Sequence, residues 1–342
     1  MTDAQHEARP PLLDVRDLVK RFALGRTLVD AVLGRPGEAV HAVDGVSFTL
    51  ARGRTLGLVG ESGCGKTTLG RLILRLHDAD GGEVRLDGVD LLRLSDAELV
   101  PYRRRMQVVF QDPHSSLNPR QRVGRTLREV LDVHGIDAPG ARRGTVERLL
   151  AEVGLRATDA DRYPGEFSGG QRQRIGIARA LAVEPDLLIA DEPLSALDVS
   201  IQAQILQLLL ELQRAHGLTM LFISHDLRVV RYLADEVAVM YLGRIVEQAP
   251  TGRLFAEPWH PYTQALLLAV PEVGGPRAAT VPIEGEPPSA VRLPPGCRFH
   301  PRCPWVVERC RRESPALRAM GPGRRVACHV AEERLAADAA RP

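Results

Sequence analysis

Gly60-Glu61-Ser62-Gly63-Cys64-Gly65-Lys66-Thr67-Thr68 is the stretch from which the rest of this 342-residue chain is read. It fits G-x-x-x-x-G-K-[ST], the spacing of a phosphate-binding loop. An apolar run, Thr55-Leu56-Gly57-Leu58-Val59, leads in as a buried strand, and Leu69-Gly70-Arg71-Leu72-Ile73-Leu74 leads out with helical periodicity. That strand–loop–helix setting is what the chemistry needs. Backbone N–H groups of a glycine-rich turn form an anion nest, and the helix N-terminus adds its dipole. Lys66 is expected to reach the β- and γ-phosphates, and the Thr67 hydroxyl to ligate Mg²⁺.

Composition sets the bounds around this loop. The length predicts two domains, or one with a sizeable appendix. Hydrophobic residues make up 44% of the chain, enough for a real core. With 45 basic and 43 acidic residues the net charge is only +2, which gives no global footprint for nucleic acid or an anionic surface. Residues 1–10 are polar and lack the apolar region of a secretory signal. No run reaches the about 18 apolar residues of a membrane span. The expectation is a protein that does not itself cross a membrane but can dock on a membrane partner.

Further polar groups fall at strand ends. Leu12 to Phe22 alternates and reads as an edge strand, with the Phe22 ring able to stack on a base. Ala23 to Val40 reads as an insertion or loop, and residues 121–160 as a helical insert. Met106 to Phe110 is a buried strand ending on Gln111, an amide placed to orient Mg²⁺ or water. Ser168-Gly169-Gly170-Gln171 is a second anion site: a capping serine before a helix whose glycines allow close approach to a phosphate. Asp186 to Asp191 is a core strand running into Glu192. Asp191 is expected to hold Mg²⁺, and Glu192 to take a proton from the attacking water. Ser195 to Asp198 makes a tight turn, and the strand Leu218 to Ile223 delivers His225. Val237 to Met240 and Gly243 to Val246 read as two final strands. The order describes an α/β fold with a mixed β-sheet core.

Together these segments resemble an ABC-type P-loop ATPase over residues 11–255, with a helical subdomain at about 112–175 and a small cysteine-rich extension at 256–335. The resemblance implies that ATP is bound by Phe22, by Gly60, Glu61, Ser62, Gly63, Cys64, Gly65, Lys66, Thr67 and Thr68, and by Gln111 and Asp191. Ser168, Gly169, Gly170, Gln171 and Asp198 would serve a site completed by a second cassette, because two such cassettes pair head to tail. Glu192, His225, Gln111 and Lys66 carry the implied catalysis, and Thr67, Gln111 and Asp191 the implied Mg²⁺. Tyr163-Pro164-Gly165-Glu166-Phe167 departs from the usual His and Glu-Leu before the signature, but spares Ser168 and its glycines.

Three stretches narrow the resemblance to oligopeptide/dipeptide (nickel) importers: Gln111-Asp112-Pro113-His114-Ser115-Ser116-Leu117-Asn118-Pro119-Arg120, His260-Pro261-Tyr262-Thr263-Gln264-Ala265-Leu266-Leu267, and the tail from Pro295 to Pro304. Cys64 and the long segment before Ala42 resemble the second, F-type, ATPase subunit of such systems. The resemblance implies a homologous ATPase partner, two transmembrane permease subunits, indirectly a solute-binding protein, no nucleic acid, and a peripheral place on the cytoplasmic face of the bacterial plasma membrane. A nucleic-acid-associated ABC ATPase is the alternative of another class. Cys297, Cys303, Cys310 and Cys328 can converge on one soft metal centre. Their spacing, C-x5-C-x6-C-x17-C, lacks the C-x2-C pairs of common zinc sites. The resemblance implies a [4Fe–4S] cluster on all four, with zinc or unligated thiols as alternatives. Sparse apolar residues between 271 and 335 suggest that a metal helps to hold the tail together.

Overall fold

A computed structural model describes residues 10–25, 38–112, 116–136, 140–268 and 285–333. Much of the segment read as a loop between Ala23 and Val40 lies outside these residues, as do Pro113 to Ser115. The chain divides into two compact units. One gathers Met1–Leu12, Leu50–Thr55 and Arg93–Ile223; the other gathers Leu13–Thr49, Leu56–Leu92 and Ser224–Pro342.

In the first unit, strand Leu187–Asp191 lies between Met106–Val109 and Thr219–Ile223 and is parallel to both. Every residue of Leu187–Asp191 and of Thr219–Ile223 is buried. A parallel strand covered on both faces needs an unbroken apolar run, which is how these stretches read. Helices Val123–Val133 and Arg142–Glu152 occupy the span read as a helical insert. The first buries Val123, Leu127 and Leu131, one stripe at four-residue spacing. Helix Gly169–Leu181 comes so close to helix Val199–His216 that a Cβ on Gly170 would stand 2.4 Å from Ile201 Cγ2.

The second unit is built on strands of mixed direction. Thr55–Val59 pairs in parallel with Glu236–Tyr241, which pairs antiparallel with Arg244–Pro250. A separate sheet runs in the order Ala39–Leu50, Leu13–Ala23, Gly81–Leu86, Val89–Asp90. Leu13–Ala23 is thus an interior strand, correcting its reading as an edge. Alternation reports that one face of a strand is buried and says nothing of how many neighbours it has. This strand is bulged between Arg16 and Val19, where Asp17 has φ +43°. Gly82 faces the bulge at φ +97°, and a Cβ there would lie 2.6 Å from the Arg16 carbonyl oxygen.

Two more strands follow the pair read as final. Arg325–Val326 adds to Arg244–Pro250, and Arg318–Ala319 adds to Arg325–Val326. The tail also has a core of its own, beyond what its sparse apolar content suggests. Phe299 is 1% exposed and meets Tyr241, Tyr262 and His260 at ring-centroid distances of 5.3, 5.5 and 5.6 Å. Met320, Val326, Cys328 and Ala331 form a second cluster packed on Trp259. A few large rings bury much area in a sequence of low average apolarity. Arg298 bonds the Leu242 carbonyl and Asp44, and Arg244 reaches Asp44 at 2.8 Å. Among the described residues no helix is long and apolar enough to cross a membrane.

Candidate nucleotide site

The phosphate loop belongs to the second unit. Gly60, Gly63 and Gly65 have φ +154°, +78° and +108°. A Cβ would lie 2.2 Å from the Met240 carbonyl oxygen at Gly60, and 2.0 Å from that of Ala42 at Gly65. Both glycines are therefore dictated by backbone approach as well as by φ. Gly63 has open space, with nothing within 4 Å of such a Cβ. Lys66 is 4% exposed, and its Nζ donates to the carbonyls of Gly60 at 2.8 Å and Glu61 at 3.1 Å. The ammonium is thus held across the loop that it is expected to share with phosphate. Burial raises the pKa of the Cys64 thiol, so at neutral pH it is a packing group. Thr67 and Thr68 follow in the first turn of helix Lys66–Ile73.

Two residues that the sequence did not single out grip this loop. The Glu61 N–H donates to Tyr262 Oη at 2.8 Å. Arg302 Nη1 and Nη2 donate to the two Glu61 carboxylate oxygens at 2.9 and 3.0 Å. A sequence separation of 241 residues hides the ion pair from any local pattern. Phe22 is half-buried in the same unit, edge-on to His77 at 5.7 Å with Lys20 Nζ 5.4 Å from its ring centroid. His225 is exposed, between Ser224, whose N–H donates to the Leu58 carbonyl, and Asp226, which caps helix Leu227–Leu233.

The first unit holds the other expected groups. Asp191 is 7% exposed at its strand end. Glu192 follows at φ +46°, a left-handed conformation that a non-glycine residue adopts at a cost of about 1–3 kcal/mol. Its N–H donates to the Ile223 carbonyl at 3.0 Å, which fixes the turn. Gln111 Nε2 donates to Glu192 Oε2 at 3.4 Å, so two strand ends bring together residues 81 apart in sequence. The Ser195 hydroxyl donates to the Glu192 carbonyl at 3.1 Å, and Asp198 stands at the N-cap of Val199–His216. Ser168 caps Gly169–Leu181 reciprocally: Oγ accepts from Gln171 N–H at 3.3 Å, while Gln171 Oε1 accepts from Ser168 N–H at 3.0 Å. With Oγ already an acceptor, its O–H is left to donate to an anion.

The four tail cysteines are free thiols. Burial first, then the charges of its neighbours Cys310 and Cys328, push Cys297 up to about 11. Burial followed by Cys328, Cys297 and Cys310 pushes Cys303 up to about 12. The thiols are thus electrostatic neighbours in one place. Yet among the described residues no three His, Cys, Asp or Glu side chains gather closely enough to hold a metal ion. The expectation of a finished ligand set is corrected to that extent: the four sulfurs share a neighbourhood without closing on one point. His329 is 2% exposed and meets the Glu313 carbonyl at 3.0 Å.

Comparison with known proteins identifies the family. The ABC transporter family model matches residues 43–195, and that of the oligopeptide/dipeptide transporter C-terminal region matches 246–310. The chain is 56% identical over 292 residues to y4tS of Sinorhizobium fredii, named a probable peptide ABC transporter ATP-binding protein; this covers 85% of the chain and 83% of that protein. It is 48% identical over 334 residues to the oligopeptide transport ATP-binding protein AppF of Bacillus subtilis, covering 96% and 99%. The dimeric post-hydrolysis structure of the ATP-binding cassette MJ0796, bound to ADP and Pi, superposes with TM-score 0.61 at 28% identity, covering 70% of this chain and 98% of that one. The fold is that of a P-loop ABC ATPase, and the chain belongs to the ATP-binding subunits of oligopeptide/dipeptide-type ABC transporters.

Proposed function

We propose that this chain is the energy-coupling subunit of a di- or oligopeptide importer, hydrolysing ATP at the cytoplasmic face of a membrane to drive two separate permease subunits. The observation that carries the reading is the union, on one chain, of the ATPase residues with a tail matching the oligopeptide/dipeptide transporter C-terminal region. Residues 11–255 supply the ATPase and 256–335 the extension. Cargo is selected by the permeases and a solute-binding protein.

The chemistry is ATP + H2O → ADP + phosphate. Phe22 stacks on the base, and the N–H groups from Ser62 to Thr68 with Lys66 cradle the phosphates. Thr67, Gln111 and Asp191 are the residues that would hold Mg²⁺, which would offset the charge developing on the phosphate oxygens. Glu192 accepts a proton from water as it attacks Pγ, and its backbone conformation and the Gln111 bond set its direction. His225 orients the same water. Ser168 to Gln171, with Asp198, act on the nucleotide of a second, homologous cassette, so that bound γ-phosphate favours the paired state.

Cys297, Cys303, Cys310 and Cys328 would hold a [4Fe–4S] cluster in this reading, once brought closer together than the described residues stand. What supports this reading is that the buried Cys297 and Cys303 thiols each feel the charges of Cys310 and Cys328, and that four thiolates are the donor set such a cluster takes. Such a cluster, when bound, cross-links the tail. Anaerobic purification should give broad visible absorption and about four iron atoms per chain; zinc alone would overturn this part. For the cargo, vesicles carrying the chain, its ATPase partner and the permeases should take up labelled dipeptide only with ATP. Uptake of nickel and not of peptide would overturn the peptide reading.

A further inference from the structure

Glu61 is the second residue of the phosphate loop, and it is tied down at its carbonyl, its N–H and its carboxylate. Its carbonyl accepts from Lys66 Nζ at 3.1 Å. Its N–H donates to Tyr262 Oη at 2.8 Å. Its carboxylate receives both Nη atoms of Arg302. The last two partners come from segments far beyond the loop: helix Pro261–Leu268 and the short turn His300–Arg302.

Neither partner is a casual surface contact. Tyr262 is 0% exposed and is fixed by ring contacts with Tyr241 and Phe299 at 4.7 and 5.5 Å. The Arg302 side chain is 8% exposed, and its Nη1 also reaches Tyr241 Oη at 3.4 Å. A fork-to-carboxylate pair fixes direction as well as distance, because the guanidinium is planar and donates two parallel bonds. The Tyr262 hydroxyl satisfies a backbone N–H that would otherwise be left without a partner. Glu61 sits between Gly60, whose φ is +154°, and the open glycine Gly63. A loop this rich in glycine has little stiffness of its own. The residue whose carbonyl carries Lys66 is therefore held by the C-terminal segments.

We infer that Arg302 and Tyr262 are positioning residues of the nucleotide site, holding Glu61 so that the phosphate loop and Lys66 are set before ATP arrives. Preorganisation of this kind appears as affinity, because ordering the loop no longer has to be done at binding. Arg302→Gln and Tyr262→Phe should each raise the Kd for MgADP about 3- to 10-fold on the full chain, measured by calorimetry.

Arg302→Gln also leaves the Glu61 carboxylate without its cation, so lower thermal stability alone would not identify the role. The double variant Glu61→Gln/Arg302→Gln separates the two effects. Removing both charges should return the unfolding midpoint towards the original value, while the Kd stays at least about threefold raised because the fork is gone. A Kd that recovers together with stability in the double variant, or a Kd unchanged in both single variants, would overturn the inference.

Discussion

Replacing Gly170 by alanine separates two duties of the signature glycines. The new Cβ would stand 2.4 Å from Ile201 Cγ2, where apolar carbons settle at about 3.5–4.0 Å. The shortfall exceeds about 1 Å, and the atom it meets is no flexible tip. Ile201 is β-branched and lies in the first turn of helix Val199–His216, so its χ1 is nearly fixed. Overpacking of this kind costs about 1–3 kcal/mol, with a stiff neighbour placing it in the upper half of that range. Alanine returns up to about 1 kcal/mol through helix propensity. The net expectation is about 1–3 kcal/mol of destabilisation, read as a lower urea midpoint at unchanged slope. Ile201→Ala removes the clashing Cγ2, so the double variant should regain the lost stability. Gly169 is the control: its Cβ would meet Leu197 Cδ2 at 3.4 Å, within the give of a flexible side chain. Gly169→Ala should leave the stability within about 0.5 kcal/mol of the original. Unchanged stability in Gly170→Ala, or a clash that Ile201→Ala fails to relieve, would refute the packing argument.

Further outcomes follow from other contacts. Asp44 lies against Arg298 and Arg244; burial works to raise its pKa, and the two guanidiniums outweigh it and hold the carboxylate below its ordinary range. A depressed carboxylate stabilises the fold above its unfolded value of about 3.9, and that contribution is lost as pH falls through the lower folded value. Asp44→Asn should therefore lower the urea midpoint at neutral pH and lessen its decline below about pH 4. Ser168→Ala removes the Oγ that accepts from Gln171 N–H and should cost about 1 kcal/mol of stability, read from urea unfolding. Because the same hydroxyl faces the nucleotide of a second cassette in the proposed reaction, ATP turnover should fall further than that loss of stability explains.

Legibility followed sequence distance. The phosphate loop could be read from the chain because its requirements are contiguous: positive-φ glycines, a lysine at fixed spacing and a strand before it. Ser168 and Gln171 were legible for the same reason, as a capping pair three residues apart. Gln111 and Glu192 each marked a strand end, but their hydrogen bond depends on the parallel register of Met106–Val109 with Leu187–Asp191. The Arg302–Glu61 pair depends on how the tail folds back within its own unit, which no periodicity encodes. Leu13–Ala23 reads as an edge from sequence because its alternation reports one buried face and not the number of its neighbours. Sparse apolar content between 271 and 335 conceals the tail's own core, because an average is blind to a large ring such as Phe299.

In the proposed reaction Glu192 takes the proton from water, at a site completed by a second cassette. ATP turnover by Glu192→Gln, assembled with its partner ATPase and permeases, tests this most directly. Glutamine keeps the size and the hydrogen bond to Gln111 while losing basicity. Turnover at the site carrying Glu192→Gln should fall about 100-fold or more, with ATP-dependent pairing of the cassettes retained. Turnover at that site within about twofold of the original would contradict it.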